Sequence, residues 1–76
     1  MDTDTLTAYI LHVIEEKESD LLVWGDTGGF FSEKELVELI EGITDVDAYD
    51  LLDELVSCAM IFSVNEYGNV VGYRSR

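Results

Sequence analysis

Apolar residues recur at Leu6, Ile10, Val13 and Ile14, the three- and four-residue spacing of one helix face, while His12, Glu15 and Glu16 fall on the other side. This predicts a first helix over residues 4 to about 19. Lys17 closes the apolar stripe, where its stem covers core and its ammonium favours the helix C-terminus; Leu11 breaks the pattern and points outward. The apolar runs Leu21-Leu22-Val23-Trp24 and Phe30-Phe31 flank Gly25-Asp26-Thr27-Gly28-Gly29 and read as a short strand pair or a packed loop. Ser32 and Glu35 have the spacing of a capping box, which starts a second helix with Leu36, Leu39, Ile40 and Ile43 on one face and Gly42 ending it at positive φ. Thr44 is the expected cap of a third helix, with Asp45 and Asp47 in its first turn. Its inward face is Ala48, Leu51, Leu52, Leu55, Val56 and Ala59; its outward face is Asp47, Asp50, Asp53, Glu54 and Ser57. Residues 60–64 and 70–74 then read as two strands joined through Asn65-Glu66-Tyr67-Gly68-Asn69. The expected class is α+β, three helices and a C-terminal hairpin in one domain over residues 1–76.

Composition narrows the function more than the fold. Seventeen Asp and Glu stand against four Lys and Arg, a formal net charge of −13, yet 47% of the 76 residues are hydrophobic, so the chain is expected to fold. A chain of this length has room for a single core and for neither a second domain nor a deep substrate cleft, which disfavours an elaborate enzyme. No apolar stretch approaches the roughly 18 residues of a membrane span, and Asp2 and Asp4 stand where a secretory signal needs positive charge. The single cysteine, Cys58, excludes an internal disulfide framework and a multi-thiolate zinc site and suits a reducing cytoplasm.

The order helix, extended piece, helix, tight turn, helix, hairpin resembles the winged helix-turn-helix family. The resemblance covers most of the chain and is carried by Phe31-Ser32 followed by Glu35-Leu36, by Leu51-Leu52-Asp53-Glu54-Leu55-Val56, and by Gly72-Tyr73-Arg74. It implies that the third helix takes the place of the family's major-groove recognition helix and that residues 65–69 form the tip of the wing. A groove-reading helix needs Arg, Lys, Asn or Gln outside; this one offers acids. A carboxylate about 6 Å from a phosphate is repelled by about 0.7 kcal/mol in water and about 3 kcal/mol at an effective dielectric near 20. Three together oppose binding by about 2 to 8 kcal/mol, as much as a whole non-specific affinity. Direct nucleic-acid binding at ordinary salt is therefore not expected.

Asp2, Asp4, Glu33, Glu35, Asp45 and Asp47 fall at or near predicted helix N-termini, where they complement the helix dipole. That leaves most of the excess, and the scarcity of Lys and Arg, to be explained. Along a helix rising about 1.5 Å per residue, Asp47, Asp50 and Glu54 step by about 4.5 and 6 Å, intervals similar to phosphate spacings, with Asp53 and Ser57 flanking. Glu33, Glu38 and Glu41 on the second helix and Glu15 and Glu16 on the first extend the strip. The expected function is a non-catalytic nucleic-acid mimic that inhibits a basic DNA- or RNA-handling protein. In composition the chain resembles the phage and mobile-element inhibitors of restriction, CRISPR or transcription machinery, which act in the host cytoplasm. Two alternatives stand beside it. One is a winged-helix regulator from a halophile that binds DNA at high salt, where a Debye length of roughly 3 Å screens the repulsion. The other is a scaffold or dimerisation module acting through Leu11, Trp24 and the phenylalanines, so the chain is expected as monomer or homodimer.

No catalytic, metal or cofactor site is expected. Asp26-Thr27-Gly28 matches the short aspartic-protease signature but follows Gly25 and precedes a capped helix, and reads as a turn. Asp45, Asp47 and Asp50 lack the glycine and terminal Glu of a calcium loop. His12 and Cys58 have no partner at ligand or nucleophile spacing, and the glycine-rich loop lacks the Lys-Ser/Thr of a P-loop. Trp24, Phe30 and Phe31 are expected mainly in the core; Tyr49 beside the acidic face and Tyr67 at the wing tip are the expected aromatic contacts for an arginine-rich partner.

Overall fold

The computed structural model describes residues 2–25 and 29–75. The expected Asp26-Thr27-Gly28 turn lies outside the described residues. The first helix, α1 (Thr3–Val23), starts at Asp2, whose carboxylate accepts from the Thr5 N–H at 2.7 Å. It runs a turn beyond the expected end, because nothing between Ser19 and Val23 breaks a helix and the first positive φ comes at Gly25 (82°). Leu21 to Val23 are therefore helical rather than part of a strand pair. Lys17 is correspondingly not in the last turn, which holds no basic residue; its ammonium sits 6.0 Å from the centre of the Phe31 ring, over the core edge. Leu11 is half-buried and packs against the core, not outward as the spacing had suggested.

Strand β1 (Phe31–Ser32) leads directly into α2 (Glu33–Ile43). Ser32 belongs to the strand, and its side chain makes no capping hydrogen bond, so the capping box does not form. Gly42 sits inside α2 without a positive φ; the helix stops where Thr44 becomes extended (φ −155°, ψ 160°). Val37 joins Leu36 and Ile40 in the core, whereas Ile43 is exposed. The Thr44 hydroxyl accepts from the Val46 N–H at 3.3 Å, shaping the turn, and the cap of α3 (Ala48–Ser57) is Asp47 instead, accepting from the Tyr49 and Asp50 N–H groups at 3.0 and 3.2 Å.

The end of α3 is a Schellman motif. Met60 N–H donates to the Leu55 carbonyl and Ala59 N–H to the Val56 carbonyl, each at 3.0 Å, with Ala59 left-handed (φ 58°). Ala59 thus lies outside the helix and exposed, correcting its expected place on the inward face.

Strands β2 (Ile61–Glu66) and β3 (Asn69–Ser75) enclose a two-residue turn, Tyr67 (φ 52°) and Gly68 (φ 81°), the positive pair of a type I′ hairpin. The ladder reaches further than expected and leaves only those two residues at the tip. The sheet order is β1-β3-β2, all antiparallel, with Phe31 opposite Tyr73 and Ser63 opposite Tyr73 from the other side. Gly72 is required where β1 crosses β3, since a Cβ there would strike the Phe30 ring and the Phe31 carbonyl oxygen. Beyond the short β1, the free edge of β3 is taken by α1: the Glu18 carboxylate accepts from the Ser75 N–H at 2.8 Å and from its hydroxyl. Helices and sheet share one core, with Leu6, Ile10, Ile14, Leu36, Ile40, Leu52 and Ile61 fully buried. The aromatic trio divides: Phe31 is buried, Phe30 half-buried, and Trp24 87% exposed. No helix among the described residues is long and apolar enough to cross a membrane.

Candidate functional site

The packing of α3 sets out the acidic face. Ala48, Leu51, Leu52 and Leu55 are buried, which turns Asp50, Asp53, Glu54 and Ser57 to solvent. Tyr49, half of it exposed, stands beside them. Asp47 is exposed too, but one carboxylate oxygen is held by two backbone N–H groups and so stays fixed at the helix start.

Two depressions flank this face. One, of about 370 Å³, lies at the α2–α3 turn and is lined by Glu41, Thr44, Asp45, Asp47 and Tyr49. The other, of about 170 Å³, lies between the start of α1 and the end of α3 and brings Asp4, Thr3 and Thr7 beside Glu54, Cys58 and Met60. The Tyr73 phenol is pushed up to about 12, first by burial and then by the negative charge of Glu33 and Asp53 and by Tyr49. Among the expected residues, the structure thus joins Glu41, Asp47 and Tyr49 in one hollow and Asp53 with Tyr49 near Tyr73. Glu38 and Ser57 are exposed on α2 and α3 without a place in either hollow, and Tyr67 stands clear at the hairpin tip. Asp4 and Asp45, expected only as helix N-terminal acids, also lie beside the face, as does Glu33 from the expected strip. On α1 it is Asp4, not Glu15 or Glu16, that meets Glu54.

The electrostatics are one-sided. Among the described residues no Lys or Arg lies within 4.0 Å of a carboxylate, and the single ionisable pair is His12 with Glu16 at 3.5 Å on α1. Sixteen of the 17 acids and two of the four bases precede Leu55, so the helical part of the chain carries −14 and the remainder +1. No group of three or more His, Cys, Asp or Glu among the described residues is arranged to hold a metal ion. The arrangement can attract and order cationic side chains.

No protein-family model matches the chain, and comparison with curated proteins and with solved structures finds no match either.

Proposed function

We propose that the chain is a non-catalytic acidic binding protein of winged-helix architecture, whose α3 face substitutes for nucleic-acid phosphates and engages a basic nucleic-acid-handling protein. The observation that carries this reading is the exposure of Asp50, Asp53 and Glu54 on one helix face with no cation paired to them among the described residues. The element order and the β1-β3-β2 sheet are compatible with a winged helix, and in that architecture α3 is the helix that meets the groove. Three unpaired carboxylates there create a field that repels phosphate and attracts Lys- and Arg-rich channels. Tyr49 adds a ring face for an arginine to stack on.

The test is the triple variant Asp50→Asn, Asp53→Asn, Glu54→Asn in capture from a host lysate with salt elution. Partner affinity is expected to fall roughly a hundredfold, at about 1 kcal/mol per lost contact, and duplex DNA is expected to displace the unaltered protein from the captured partner. The three neutral replacements, all at exposed positions, relieve like-charge repulsion, so the melting temperature is expected to stay or rise. Unchanged affinity in the variant would overturn the proposal.

A further inference from the structure

The surface opposite in character to the acidic helices is the outer edge of the sheet. With β3 in the centre and β1 on its far side, β2 has one flank whose backbone groups face no other strand. Natural edges are usually protected by Pro, by Lys, by an inward charge or by a bulge in the edge strand. This one has none of the first three along its length: no charged residue stands between Glu54 and Glu66, and the chain has no proline. The register shift between Val64 and Asn65 leaves Val71 as the extra residue in β3, so β2 keeps its alternation, Ile61 inward and Phe62 outward. Phe62 is 51% exposed and lies opposite Arg74 on the outer face, with Val64 opposite Gly72 on the same side.

We propose that β2 pairs antiparallel with β2 of a second copy of this chain, about a two-fold axis at Ser63. Charge sets where two copies can meet, and self-complementarity selects the occupant. Two copies, each at −13, repel wherever their helices meet, and only the segment after Leu55, at +1, lets them approach. A two-fold axis makes one strand, uncharged from Ile61 to Asn65, its own complement. The axis at Ser63 sets Phe62 of each copy against Val64 of the other on the outer face, a favourable aromatic to β-branched pair made twice. It also puts the two Glu66 side chains at opposite ends of the joined strands, about 20 Å apart. A contact of this size falls below the roughly 1,200 Å² of a stable interface, so the pair is weak and reversible. This surface is separate from the acidic face, and the proposal stands or falls independently of the basic partner.

Sedimentation equilibrium on the intact chain, up to about 1 mM, reads the association directly. The expected result is a monomer–dimer equilibrium that tightens from low to high salt as repulsion is screened, the opposite of salt-eluted partner binding. Phe62→Glu is expected to weaken the dimer about tenfold or more. Trp24→Ser and the triple Asn variant, by contrast, are expected to retain it. A monomer at every concentration and salt would overturn the proposal, as would a dimer dissolved by Trp24→Ser and untouched by Phe62→Glu. Circular dichroism checks the fold of Phe62→Glu; if it is lost, amide exchange of the wild type decides. Slower exchange in β2 with rising concentration supports the pairing, and concentration-independent exchange refutes it.

Discussion

Ala59 occupies a backbone conformation that glycine adopts without cost and that an L-residue pays about 1 kcal/mol to hold. It is exposed, so no packing is lost when its methyl is removed. Ala59→Gly is therefore expected to stabilise the protein by about 0.5–1 kcal/mol, read as a rise of a few degrees in a thermal melt. Tyr73 makes a second prediction at this scale. The residue is 3% exposed, and its phenol is pushed from 10 up to about 12 by burial and neighbouring acids. The fold favours the neutral form, so this contribution is whole below pH 10 and is lost as pH rises through the interval to about 12. Denaturant unfolding near pH 11 is expected to show about 1 kcal/mol less stability than at pH 9, and Tyr73→Phe to remove most of that alkaline loss.

Helix faces were legible in the sequence because their apolar spacing has one geometric solution: Leu6, Ile10 and Ile14, or Leu51, Leu52 and Leu55, can share a core only on a helix. Helix ends were less legible, because several residues of the right chemistry compete. Thr44 and Asp47 are both capping residues three positions apart, and the choice falls to Asp47 only because α2 runs through Gly42 to Ile43. Ser32 lost its capping role to a tertiary demand, the pairing of β1 with Gly72, that no local window contains. The candidate face divides in the same way. Asp50, Asp53 and Glu54 follow from the amphipathic pattern of α3 alone. That Asp4 lies beside Glu54, and Glu33 near Tyr73, depends on how helices from distant parts of the chain dock.

For the whole molecule the governing quantity is the separation of charge, −14 over the helices and +1 over the hairpin. Self-repulsion of that size lowers stability at low ionic strength, and screening restores it. The protein is expected to be folded in about 0.1 M KCl and to melt at a moderately higher temperature in 2 M, where charges are screened beyond about 3 Å. Unfolding at the lower salt, with duplex binding at the higher, would replace the mimic with a salt-adapted DNA regulator.

Strand β3 follows β1 and β2 in the sequence yet lies between them in the sheet, with Glu18 gripping Ser75 at its end. During synthesis, then, the helices and β2 emerge first with no template to assemble on. The sheet of the nascent polypeptide closes only once β3 has left the ribosome, so a chain cut within β3 is expected to lose the whole sheet and not merely an edge strand.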